Sequence, residues 1–259
     1  MLTLSQGTLG VASGSLVGFS LGLVGGGGSI LAVPLLVYLV GVASPHVAIG
    51  TSAVAVAANA VANLANHARL GTVKWRCASV FAAAGAVGAY AGSSLGKRVD
   101  GQKLLALFAA LMVAVAALML RARGREGDAS VRLGRDNLAK LVGMGLATGT
   151  LSGFFGIGGG FLIVPALVMA TGMPILNAVG SSLVAVTAFG VATATNYAFS
   201  GLVDWKLAAL FLAGGVAGGA VGSHVAKALA DRRGALTSVF SALIIAVAIY
   251  TLVRSLGAI

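Results

Sequence analysis

Long apolar runs dominate this chain, with few alternating stretches between them. No Asp, Glu, Lys or Arg occurs before Arg69, and none occurs between Lys140 and Asp204. Further uncharged runs cover 77–96, 104–120, 207–226 and 234–253. One helical crossing of a bilayer core takes about 20 apolar residues, and these runs come in that length or in multiples of it. The pattern predicts ten segments: about 5–24, 28–42, 45–68, 76–96 and 103–120, then 140–155, 159–172, 175–199, 205–227 and 234–254. The expected class is an all-α polytopic membrane protein.

The second segment of each five is too short for an untilted crossing. It begins at a glycine cluster and ends just before Pro45 or Pro174. First and second segments are therefore expected to be two helical pieces meeting at a glycine break inside the membrane.

The two sets of five are copies of one unit. A shift of 131 places Gly18 on Gly149, Gly22 on Gly153, Gly25 on Gly156, Gly27 on Gly158, Gly28 on Gly159 and Pro34 on Pro165. A shift of 130 then aligns "IGTS" (49–52) with "VGSS" (179–182), Asn66 with Asn196, and Trp75 with Trp205. It also lays "GAVGAYAGSSLGK" (85–97) on "GVAGGAVGSHVAK" (215–227). Gly, Pro, Trp, Asn and Lys thus recur in order, which two alanine-rich segments do not achieve by chance. The expected organisation is a first membrane repeat over 1–120, a polar cytoplasmic linker over 121–139, and a second repeat over 140–259.

Charge sets the expected orientation. Composition is 58% hydrophobic and 9% charged, against about a quarter charged in a soluble domain. Whether the glycine-linked pair crosses twice or forms a re-entrant hairpin, each unit has an odd number of crossings, so the second copy is inverted. Loops around 69–76, 121–140 and 227–233 then share a side and hold 12 of the 17 basic residues. The positive-inside rule makes that side cytoplasmic. The net charge of +11 belongs to loops and lipid headgroups, which argues against nucleic acid as a partner. The single cysteine excludes an internal disulfide or a cysteine metal cluster, and no cofactor or metal is expected. The expected location is the cell (inner) membrane, as a multi-pass integral protein.

Glycines spaced four apart, such as Gly14, Gly18 and Gly22, read as helix-packing faces. Gly25 to Gly28 exceeds that need, since a packing face uses one glycine per turn. Each such residue gives up about 1 kcal/mol of helix propensity, and hydrocarbon cannot satisfy the backbone groups it frees. If helices start near Ser29 and Gly160, their first N–H groups and positive dipole ends suit an anion. Broken helices recurring in two repeats are a transporter design. The expected site is anion-binding, built from Gly25, Gly27, Gly28 and Ser29 with Gly156, Gly158, Gly159 and Gly160. Valine at Gly28 or Gly159 is expected to abolish transport and spare insertion.

Other polar positions carry two readings each. Thr51, Ser52, Ser181 and Ser182 follow glycines in uncharged segments; they either contact ligand or bond their own i−4 carbonyls. Asn59, Asn63 and Asn66 share one helix side, and interhelical hydrogen bonding competes with a ligand role. Asn66 and Asn196 recur in both copies and join the candidate site. His46 and His67 lie near segment ends; proton coupling through either stays open, though a titratable group at an interface is unremarkable. Trp75 and Trp205 read as interfacial anchors. The glycine runs are not dinucleotide fingerprints, because no strand precedes them, and no hydrolase machinery lies in the apolar segments, so the chain is not expected to be an enzyme.

The duplicated G-x3-G-x2-G-x-G-G-G-x4-P pattern, each copy followed by "GTS" or "GSS" and a "G-x-V-x-W" loop, resembles the TauE/SafE sulfite exporter family. The copies differ: Gly26 faces Ile157, and Ser29 faces Gly160. The resemblance implies secondary transport of small sulfur-containing anions, such as sulfite, thiosulfate or organosulfonates. It does not carry over the solute, the direction or the coupling ion, and a homo-oligomer stays open. A passive anion channel and a non-transporting assembly or sensor subunit are the rival readings. The absence of a buried carboxylate argues against a cation as cargo.

Overall fold

The computed structural model describes residues 4–121, 133–156 and 160–230, with 242, 245–247, 249 and 250. Linker positions 122–132, most of the expected last segment, and Gly158 and Gly159 lie outside the described residues.

Among the described residues the chain is helical, without strands. Helix α1 is Leu4–Val24, and a composite rod over 25–39, α2, follows it directly. Then come α3 (Pro45–Arg69), α4 (Trp75–Gly96), α5 (Gly101–Arg121), α6 (Arg135–Phe155), α7 (Gly160–Thr171), α8 (Ile175–Phe199) and α9 (Trp205–Ala230). Six of these (α1, α3, α4, α6, α8 and α9) are long and apolar enough to cross a bilayer, while α2, α5 and α7 contain shorter apolar stretches. The segment ends agree closely with the pattern except at two starts. Helix α6 begins at Arg135 rather than near 140, with Asn137 Oδ1 accepting from the Gly134 amide at 3.0 Å. The α2 rod begins at Gly25 rather than near Ser29.

That second departure has a local cause. Residues Gly25–Leu31 form a 3₁₀ helix, in which the Ser29 hydroxyl donates to the Gly26 carbonyl at 2.8 Å and tightens the turn. Past Pro34, which lacks an N–H, the turn widens into a π-helix over Leu35–Leu39, with the Val40 amide on the Leu35 carbonyl at 2.9 Å. The other helix ends are conventionally closed. Ser44 caps α3 ahead of Pro45, and Asp100 accepts from the Gln102 and Lys103 amides, both at 3.1 Å, at the start of α5.

Two glycine-lined seams hold the bundle together. Helix α1 packs along α9, and α6 packs along α4. A Cβ added at Gly18 would fall on the Gly215 carbonyl, and one at Gly149 on the Gly85 carbonyl. Gly14 meets Phe211 as Gly145 meets Phe81, and Gly222 meets Phe19 as Gly92 meets Thr150. Close backbone approach replaces the hydrophobic effect as the source of contact inside lipid. In each seam the first helix of one half lies against the fourth helix of the other. Helices α3 and α8 pack on each other between the seams.

Candidate substrate site at the glycine breaks

Both rods break at corresponding glycines. Gly25 has φ +65° and Gly156 φ +66°, a left-handed conformation that side chains resist. Gly156 closes α6, its amide on the Gly153 carbonyl at 3.1 Å. The surroundings also correspond. A Cβ at Gly25 would lie 2.5 Å from the Val179 carbonyl, and one at Gly156 would overlap Ile49, the residue that matches Val179 in the other repeat.

The breaks touch each other. A Cβ at Gly26 would sit 2.5 Å from the Gly160 Cα, and one at Gly160 would overlap the Gly26 carbonyl. Their amides already have partners. The Gly26 N–H donates to Ser182 Oγ at 2.9 Å, and Ser182 donates to the Val179 carbonyl at 2.7 Å. The Gly160 N–H, at the start of α7, donates to Ser29 Oγ at 3.3 Å. Ser29 and Ser182 are both fully buried. Two hydroxyls thus stand where the sequence left bare amides, and a hydroxyl both accepts and donates.

The remaining candidates divide. Ser52 is buried near Gly156 and donates to the Ile49 carbonyl at 2.9 Å, mirroring Ser182. Thr51 Oγ1 accepts from the Asp204 amide at 2.9 Å and Ser181 Oγ accepts from the Lys74 amide at 2.8 Å, so each hydroxyl anchors the loop ahead of a helix of the other half. Asn196 sits near the end of α8, bonded to α4, and Asn66 sits near the end of α3; neither bonds to the break glycines. Gly27 lies within the 3₁₀ turn. Gly28 packs onto the backbone of Ser20 and Leu21, so a valine there obstructs folding of the α1–α2 hairpin as well as any transport.

Sequence reasoning did not single out Gly26, because its counterpart is Ile157. The signal was present in the unbroken run of glycines. His67 is fully buried, with Nδ1 3.0 Å from Thr72 Oγ1 and Nε2 2.9 Å from the Gly22 carbonyl. Asn59 is fully buried against Gly215, and its amide has no hydrogen-bond partner among the described residues. Two hollows lie elsewhere: an apolar groove of about 410 Å³ between α3 and α8, and one of about 470 Å³ beside Gln6, Asp204 and Lys206.

A bundle of membrane-length helices, interrupted in both halves and meeting at buried backbone amides, is an architecture that polytopic membrane transporters use. Residues 10–251 match the family model described as sulfite exporter TauE/SafE, and the chain belongs to that family. A probable membrane transporter protein of Xylella fastidiosa (strain 9a5c) is 54% identical, covering 95% of this chain and 94% of its own. The probable membrane transporter protein YdhB of Bacillus subtilis (strain 168) is 25% identical over 80% of this chain and 85% of its own. MJ0441 of Methanocaldococcus jannaschii, also a probable membrane transporter protein, is 30% identical over 65% of each chain. No solved structure matches.

Proposed function

We propose that the protein is a secondary transporter of small sulfur-containing anions, of the sulfite, thiosulfate or organosulfonate class. It works by alternating access between two inverted halves in the cell membrane. The observation that carries this reading is the meeting of Gly26 and Gly160, whose amides are held by the fully buried hydroxyls of Ser182 and Ser29. A tetrahedral or pyramidal oxyanion replaces those hydroxyl oxygens as acceptor, while the hydroxyls rotate to donate to it. The N-terminal dipole of α7 adds a positive potential. No Lys or Arg lies between Lys140 and Asp204, so main-chain amides supply the charge complement.

Inversion is supported by helix direction and by the basic loops at opposite ends of corresponding helices. Helix α3 runs parallel to α9, with Asn59 at Gly215 and Asn63 at Gly219, while the short turn from α3 to α4 sends α4, the counterpart of α9, the other way. The substrate class rests on the family's description. A thermal-shift screen of sulfite, thiosulfate, sulfate, sulfoacetate and taurine against detergent-purified protein tests it. A ligand at 100 times its Kd stabilises the folded state by about 2.7 kcal/mol, so a binding anion should raise the melting temperature. If none of the five does, the anion reading is wrong.

A further inference from the structure

Lys97 and Lys227 hold corresponding positions in the two repeats, and so do Asn196 and Asn66. Their contacts differ sharply. The Lys97 ammonium donates to Asn196 Oδ1 at 2.7 Å, to the Asn196 carbonyl at 3.2 Å and to Ser200 Oγ at 2.8 Å. The Asn196 amide nitrogen continues to Ser93 Oγ at 2.6 Å and Ser94 Oγ at 2.9 Å. One end of α4 is thereby clasped to one end of α8. Lys227 is exposed, and neither it nor the Asn66 side chain makes a hydrogen bond with any described residue. His224, standing where the other repeat has Ser94, turns Nδ1 to the Ala220 carbonyl of its own helix at 2.7 Å. Near that end, α3 is tied to α1 instead, through His67 and the Gly22 carbonyl.

Several contacts deeper in the bundle do recur in both halves: Gly18 on Gly215 as Gly149 on Gly85, Gly50 against Leu202 as Gly180 against Thr72, Thr51 on Asp204 as Ser181 on Lys74. Lysine, asparagine and the serine at 93 or 223 are equivalent in the two repeats, while Ser200 and Ser94 stand where the other repeat has Leu70 and His224. The shared lysine and asparagine meet at one end and not at the other. An inverted pair of halves expects that asymmetry when one end of a transport path is shut and the other is not.

We infer that Lys97–Asn196 is a closed gate between α4 and α8, and that Lys227–Asn66, between α9 and α3, is its counterpart at the opposite end, undone in this structure. The inference rests on the alternating-access reading above. Its chemistry suits an anion carrier. Every acceptor on Lys97 is neutral, and no carboxylate pairs with it among the described residues, so an arriving anion offers the counter-charge that Asn196 lacks and competes for the ammonium. Lys97 is thus a positioning residue: it sets which end is closed.

Distances between paired spin labels, measured in a Cys77→Ala background reconstituted in lipid, test the gate. One label pair sits at 95 and 199, beside the Lys97 clasp; the other sits at the corresponding positions 225 and 69. Lys97→Gln should lengthen the 95–199 distance and shorten the 225–69 distance, and Asn196→Ala should do the same. Lys97→Arg, which keeps the charge, should restore the original distribution. If neither Lys97→Gln nor Asn196→Ala moves either distance, the gate is refuted. Flux by the unsubstituted protein is read separately: a protein that moves no anion refutes the transport reading, while the distances judge the gate itself.

Discussion

The Gly160 amide donates to the Ser29 hydroxyl at 3.3 Å, joining positions 131 residues apart. These positions correspond in the duplication, so each copy meets the other at the same point of its own sequence. A site assembled this way sits where the two halves share a boundary, and relative movement of the halves alters it directly. In the alternating-access reading proposed above, this contact is what would couple substrate occupancy to a change of access.

Removing Ser182's hydroxyl should expose the dependence on those amides. In Ser182→Ala the buried Gly26 N–H loses its acceptor, at a cost of about 1–3 kcal/mol. The melting temperature in detergent should fall, and a bound anion should recover part of the loss by accepting from the same N–H. An undiminished melting temperature would show that this hydrogen bond carries no weight.

The seams should be intolerant of any side chain. A Cβ at Gly18 or Gly149 meets a carbonyl of the facing helix, so Gly18→Val and Gly149→Val should each cost about 1–3 kcal/mol or prevent assembly. Gly71, with open space around it but φ +71°, supplies the contrast: Gly71→Asn, whose residue tolerates the left-handed region, should leave yield and melting temperature near the unsubstituted values. Fluorescence-detected size exclusion distinguishes the outcomes.

Thr51→Val and Ser181→Ala test the division of the candidate hydroxyls. Each removes an acceptor from a loop amide of the other half, which should lower stability by about 1 kcal/mol without changing the anion concentration that half-saturates transport. A large shift in half-saturation would instead place these hydroxyls on the substrate.

The boundaries of the described helices and the turns at Gly25 and Gly156 were legible because they are local patterns: apolar length, Gly and Pro, turn residues. The left-handed Gly25 and Gly156 follow from them. The partners of the break amides were not legible. Ser29 and Ser182 reach Gly160 and Gly26 only because two rods cross at contact distance, and nothing within either segment encodes that crossing. The reading of bare amides therefore gave way to hydroxyl-held ones. Asn66 and Asn196 show the same limit from the other side. Their recurrence marked them as important, yet Asn196 is bonded to Lys97 and the Asn66 side chain is not bonded to Lys227. The reason is that the surrounding residues differ, Ser200 against Leu70 and Ser94 against His224, and that contacts across helices are not written in either segment.

Asn59 presents a second asymmetry. Phe189 occupies its place in the other repeat, stacked on Phe81 with ring centroids 6.1 Å apart. The buried Asn59 amide is unpaired among the described residues, a burden of about 1–3 kcal/mol. Asn59→Ala should leave the melting temperature unchanged or raise it. A clear fall would mean that the amide has a partner, such as an internal water.

Counterflow in proteoliposomes tests the central claim most directly. Vesicles containing the unsubstituted protein, loaded with unlabelled thiosulfate or sulfite, should accumulate the labelled anion transiently above its outside concentration, and initial rates should saturate. Linear, unsaturating flux without counterflow would mark a pore, and no flux of any oxyanion would remove the transport site from the glycine breaks altogether.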